Sequence, residues 1–184
     1  MCQDGSRAVM VDKDSPQDGA YMRADASQFK SSFFEMLSVT SGPFAGRGFY
    51  LKTFNGKSID VFEGRTSPGT AVIQWAYHGN SNQIWIISPS SSQQQQQQQQ
   101  PAQITNKNTF PEVPVTFAPA NTTYKILSAL NTSKALTVGN DRALRISDYT
   151  GDASQRFSIF QDNGKFAFVV NSFQEGICVF KDGQ

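Results

Sequence analysis

The stretch KSIDVFEGRTSPGTAVIQWAYHGNSNQIWIIS, residues 57 to 88, combines the most regular strand pattern in the chain with a cluster of acidic, aromatic and amide side chains. Within it Ile59-Asp60-Val61 alternates apolar, acidic and apolar, so a strand here turns Ile59 and Val61 to one face and leaves Asp60 on the wet side. Glu63-Gly64 and Ser67-Pro68-Gly69 supply turn residues. Ala71 to Tyr77 reads as a second strand with Ile73, Trp75 and Tyr77 on one face and Gln74 on the other. After the turn Gly79-Asn80-Ser81, the segment Asn82 to Ile87 opens with two amides and closes with apolar residues. Trp85 is too large to leave uncovered on a small domain.

The Ile-Asp-Val strand, the Gly-Thr-Ala-Val-Ile-Gln-Trp strand, the Gly-Asn-Ser-Asn-Gln turn and the Gln-x-Trp at Gln83 to Trp85 resemble one repeat of the ricin-B-type lectin β-trefoil. Trp75 stands seven residues before Asn82, the usual spacing of that repeat. The resemblance implies an all-β, pseudo-threefold β-trefoil of three degenerate four-strand repeats, with shallow sugar pockets on its outside and glycans as partners.

Beyond this stretch the same signals recur in weaker form. An apolar-x-apolar strand appears as Val9-Met10-Val11, Ile59-Asp60-Val61, Leu136-Thr137-Val138 and Ile177-Cys178-Val179. An aromatic followed two residues later by an apolar residue marks three closing strands, at Phe34 and Met36, Trp85 and Ile87, and Phe157 and Ile159. The third carries Gln155-Arg156-Phe157, a Gln-x-Trp with Phe for Trp. Leading strands precede the second and third copies, at Phe49 to Phe54 and Tyr124 to Leu127, but residues 1 to 6 are too short and polar to supply one for the first. Lys165 to Val170 is an orphan strand, and we expect it to close the barrel beside the N-terminal segment, since closure leaves no unpaired edge. A fragment of a longer tandem array is the competing reading. The expected organisation is one domain over residues 1–184: repeat one at 7–39 plus a closing strand at 165–170, repeat two at 48–88, an insertion at 89–122, and repeat three at 123–160.

The insertion contains an unbroken glutamine run from Gln93 to Gln100 and five prolines, and has too little apolar surface to offset its ordering entropy. A long disordered loop is expected there, with Phe110, Val113, Val115 and Phe117 as residues that could dock back on the barrel. The formal net charge is +1 with both signs interspersed, which argues against a nucleic-acid footprint. No apolar run reaches the roughly 18 residues of a membrane helix, so no membrane insertion is expected. The first residues lack the basic and apolar regions of a signal peptide. The cytoplasm is the expected compartment, with non-classical secretion as the alternative. Cys2 and Cys178 are too few for a disulfide-built secreted domain, and the sequons at Asn121 and Asn131 matter only in a secreted chain.

A monosaccharide presents a patch of C–H groups and a fan of vicinal hydroxyls. Trp75 can cover the first with little entropy lost, since an indole has two side-chain torsions. Asp60, when ionised, can accept charge-assisted hydrogen bonds from two adjacent hydroxyls. Asn82 adds an amide donor and acceptor, Gln83 either touches sugar or braces Asp60, and Tyr77 and His78 are candidates for the rim. By the resemblance these residues form the sugar pocket. The departure is Ile73, where many family members carry glutamine; here the glutamine is Gln74, on the opposite face. Taken singly, an acid before a turn and an exposed Trp are structural; together at this spacing they point to sugar.

The other copies carry Met10, Thr137 and Cys178 in place of Asp60, and Ala24 and Ser147 in place of Trp75, which leaves one competent pocket. One histidine and two distant cysteines supply no metal cluster, and no cofactor is expected. The leading reading is a carbohydrate-binding lectin or module for galactose-like sugars, and the alternative is a β-trefoil protein-interaction module. Enzymatic activity is not expected, because no nucleophile–base pair or matched carboxylates stand out.

Overall fold

The computed structural model describes residues 7–25, 30–90 and 122–171. Its twelve strands are β1 (Arg7–Val11), β2 (Met22–Asp25), β3 (Glu35–Ser38), β4 (Phe49–Lys52), β5 (Ser58–Val61) and β6 (Thr70–Trp75), then β7 (Trp85–Pro89), β8 (Tyr124–Ser128), β9 (Asn131–Val138), β10 (Leu144–Asp148), β11 (Phe157–Asp162) and β12 (Lys165–Val170). Six of them close a ring by antiparallel pairing in the order β3, β4, β7, β8, β11, β12 and back to β3 through the Phe34–Phe166 bridge. The remaining six form three hairpins, β1–β2, β5–β6 and β9–β10. This is a β-trefoil: three four-strand units, each giving two strands to a barrel and two to a hairpin cap.

The pseudo-threefold relation can be checked bond by bond. Gln74 N–H donates to the Ala20 carbonyl and Ala24 N–H to the Arg142 carbonyl, while Ile146 is paired with Thr70. Each link joins one hairpin to the next. β12 sits beside β1 and bridges β3, as β4 sits beside β5 and β7. The first unit therefore draws its leading strand from residues 165–170.

The core is built from the recurring positions. Phe34, Trp85 and Phe157 open the three closing segments and are fully buried, as are Leu51, Ile126 and Phe168 on the leading strands. Burying each such apolar side chain contributes on the order of 1.5–3 kcal/mol. Trp85 Nε1–H also donates to the Ile59 carbonyl at 3.2 Å, which satisfies the one polar atom that the ring brings inside. The inward faces of the hairpins add Val9, Val11, Ile59, Val61, Leu136 and Val138. One polar residue breaks this pattern. Gln74 is fully buried where Ala24 and Ile146 stand in the other hairpins, and its Nε2 donates to the Ser15 and Gln17 carbonyls at 2.7 and 2.8 Å.

The ends of the expected insertion meet: Ser90 N–H donates to the Thr123 carbonyl at 2.8 Å, and Pro89 pairs with Tyr124. The glutamine run, the expected docking residues Phe110 to Phe117, Cys2, Asn121 and the strand at Ile177 to Phe180 lie outside the described residues. Among the described residues, no helix is long and apolar enough to cross a membrane.

Candidate functional site

The site grows from the outward face of the β5–β6 hairpin. Ile59 and Val61 point into the core, so Asp60 between them points away from it. Its cross-strand partner is Ile73, and the two share that outward face. After Val61 the chain turns sharply through Phe62, Glu63 and Gly64, the last two at φ 52° and 63°. Glycine adopts that backbone freely, and Glu63 does so at some cost. Phe62 and Glu63 lie at one end of the hairpin face and Trp75, paired with Ser58, at the other. The loop after β6 returns across this face and brings His78 and Asn82 over it. Together they enclose a half-open cleft of about 240 Å³. That is below the about 300–1,000 Å³ of pockets that enclose drug-sized ligands, and suits one small ring.

Asp60 is not on the wet side of its strand. It is 2% exposed, because three side chains from the returning loop cover it. Asn82 Nδ2 donates to Asp60 Oδ1 at 2.7 Å, Gln83 Nε2 donates to Oδ2 at 2.8 Å, and His78 Nε2 lies 3.2 Å from Oδ2. Because Asn80 N–H donates to His78 Nδ1 at 3.2 Å, the ring carries its proton on Nε2 and donates it to Asp60. A carboxylate offers about four lone-pair sites, and three are filled here. One lone pair of Asp60 is therefore left unmatched by these three side chains, fewer than the two that the sequence reading expected to be open. Asn82 uses one N–H on Asp60, and its carbonyl oxygen and second N–H are not spent there. Burial pushes the Asp60 carboxyl above its ordinary 3.8, against the opposing pull of Asn82, Gln83 and His78.

Gln83 braces and does not line the cleft. It is fully buried; Nε2 also donates to the Ala76 carbonyl at 3.0 Å, and Oε1 accepts the His78 and Gly79 N–H groups at 2.9 and 3.2 Å. Tyr77 is not brought to the cleft. β6 ends at Trp75, so the alternation that would have kept Tyr77 on the Trp75 face stops there, and its ring packs edge-on against Tyr50 with centroids 5.0 Å apart. Tyr50 O–H donates to the Gly79 carbonyl at 3.2 Å and steadies the same loop, and burial, with Tyr77 beside it, pushes its hydroxyl up to about 12. Trp75 is 42% exposed and presents an open ring to the cleft.

Phe62 and Glu63 line the cleft without having been expected there, and so does Ile73, which the sequence marks only as standing where glutamine is common in the resembling repeat. The available signal was their position: Ile73 is the residue opposite Asp60, and Phe62-Glu63 follow the acid-bearing strand.

Register corrects one equivalence in the other units. Val61 pairs with Val72 and Val11 with Met22, so Trp75 corresponds to Asp25 and not Ala24. The first unit therefore has Met10, Arg23 and Asp25 where the second has Asp60, Ile73 and Trp75. Arg23 is held to Asp12 at 3.5 Å. The third unit has Thr137, Arg145 and Ser147, and Arg145 is clamped by both oxygens of Asp141 at 2.7 and 2.5 Å.

No known family model matches the sequence, and no curated protein matches it. Solved structures do match the fold. ThreeFoil, a designed threefold-symmetric protein, superposes with a TM-score of 0.59 at 20% identity over 89% of this chain and 90% of its own. The exo-β-1,3-galactanase 1,3Gal43A of Clostridium thermocellum gives 0.59 at 14% identity over 92% of this chain, and the Polyporus squamosus lectin bound to a human-type influenza-binding epitope gives 0.50 at 19% over 85%. The chain spans 31% of the galactanase chain and 45% of the lectin chain. The protein is thus a β-trefoil whose structural neighbours include carbohydrate-binding lectins.

Proposed function

We propose that the cleft of the second unit binds a neutral, galactose-like sugar ring without acting on it chemically, making the protein a lectin or carbohydrate-binding module. The observation that carries this reading is the pairing of Asp60, held in one orientation by three donors, with the exposed ring of Trp75 in one cleft. The indole covers the C–H face of the sugar. One hydroxyl donates to the free lone pair of Asp60, and its neighbour meets Asn82. The acid is already oriented before ligand arrives, so little is lost in ordering it on binding. One shallow contact of this size supports a Kd of about 0.1 to 1 mM, or about 4 to 5.5 kcal/mol. Useful avidity then requires a second module or an oligomer.

The test is a glycan array followed by calorimetry on the wild type, Asp60→Ala and Trp75→Ala. Both variants are expected to lose binding by at least about tenfold. Trp75→Ala is expected to keep its melting behaviour within about 0.5 kcal/mol, because an exposed ring does not hold the core. A glycan signal that survives both changes refutes the assignment.

A further inference from the structure

Resting on the sugar-binding reading, we propose that the site continues across β6 onto Tyr21 of the first unit and takes two linked sugar rings, the second lying on the tyrosine. Ile73 has two cross-strand neighbours, Asp60 on one side and Tyr21 on the other. Residues directly opposite in antiparallel strands place their side chains on one face, with Cβ atoms about 4.5–5.5 Å apart. Asp60, Ile73 and Tyr21 therefore form a row across three strands, with buried Ile73 as its low point. Ala20, the residue before Tyr21, packs against the core, which fixes Tyr21 outward, and Tyr21 is 58% exposed.

Trp75 stands two residues along β6 from Ile73, diagonal to Tyr21. The residue beside Trp75 is Gly19, at φ 81°, and a Cβ built there would meet Trp75 Cζ3 at 3.6 Å. A glycine at that place puts no side chain of its own against the edge of the indole. The surface thus runs from the cleft over Trp75 and Ile73 to Tyr21 without a side chain rising at Gly19. A cleft of about 240 Å³ suits one ring, so a longer ligand must leave it, and this path gives it a second flat face. Tyrosine adds a phenol that can donate to or accept from a ring hydroxyl. The nearest charge along β2, Arg23, is paired with Asp12, which favours an uncharged second ring.

The experiment is calorimetry of the full chain with methyl β-galactoside and with disaccharides carrying the same galactose at the non-reducing end in several linkages. The wild type is expected to bind at least one disaccharide about five- to tenfold tighter than the methyl galactoside, as an aromatic stack of ordinary strength gives. Tyr21→Ala should erase that advantage and leave the methyl galactoside unchanged, and Tyr21→Phe should keep most of it. A disaccharide advantage untouched by Tyr21→Ala, equal loss for both ligands, or no advantage in the wild type overturns the proposal while leaving the single-ring site standing. Failure of the wild type to bind either ligand removes both readings together.

Discussion

The second and third units share a loop and differ in what the loop holds. Gln83 and Gln155 occupy the same place and make the same backbone bonds. Gln155 Nε2 donates to the Asp148 carbonyl at 2.8 Å, and its Oε1 accepts the Thr150 and Gly151 N–H groups at 2.8 and 3.2 Å. Gln83 repeats this with Ala76, His78 and Gly79. The remaining hydrogen of each amide reaches the middle of the facing strand, where the second unit has Asp60 and the third has Thr137 at 3.0 Å. Thr137 in turn donates its hydroxyl to the Ala135 carbonyl at 3.0 Å. The glutamine is thus a staple for the loop, needed with or without a ligand. In the proposed sugar site, recognition would rest on what stands opposite the glutamine and on the aromatic at the strand end.

The largest effect expected from this comparison is on stability. Gln83→Ala and Gln155→Ala each leave two loop N–H groups without their acceptor, a loss of about 2–4 kcal/mol and a melting point lower by roughly 2–4 °C for each kcal/mol. Only Gln83→Ala should also remove glycan binding, because only Gln83 touches the acid. An unchanged melt for Gln155→Ala would show that the two loops are not held alike.

Acid should separate the units next. The Asp60 carboxyl is raised above 3.8 by burial, so its contribution to stability is fully present below pH 3.8 and is lost as pH rises through the raised value. Sugar binding runs the other way: it falls as the carboxyl takes up its proton, at a pH above the ordinary carboxylate value and with the fold intact. Affinity and circular dichroism followed from about pH 7 to about pH 3.5 read both. Binding that persists below pH 3.8 would break the link to Asp60.

The smallest effect is a gain. Thr137→Asp with Ser147→Trp supplies the missing acid and indole beside Gln155, and a second weak site should raise the stoichiometry from one to two. Because Arg145 still stands where the second unit has Ile73, the new site is expected to be weaker than the old. No added binding at all would mean that a feature the third unit still lacks, such as Asn82 (Ser154 here), His78 (Thr150 here) or Ile73, is as necessary as the acid and the indole.

Strand positions and the three core aromatics were legible in the sequence, because apolar alternation and the need to bury a large ring are local signals. That Asp60, Trp75 and Asn82 line one cleft agrees with what the resemblance of their spacing to the lectin repeat implied. The burial of Asp60 was not legible, since Asn82 and Gln83 come back to it from 22 and 23 residues further on. Tyr77 departs from the expected face because β6 ends two residues before it and strand alternation no longer applies there. The first unit was misaligned by one residue, although Val11 to Met22 and Val61 to Val72 have the same separation and counting from β1 leads to Asp25. Gln74 was placed on the correct face, but its two carbonyl partners belong to another unit and no pattern within 57–88 points to them.

The position of β12 carries a cost in time. Phe166 leaves the ribosome 132 residues after Phe34, roughly seven to twenty-six seconds later at about 5–20 residues/s. For that interval Phe34 lacks the strand whose Phe166 exchanges both backbone hydrogen bonds with it at 2.8 Å. The nascent protein waits with a gap one strand wide, open to its own later strand and equally to any extended peptide that reaches it first.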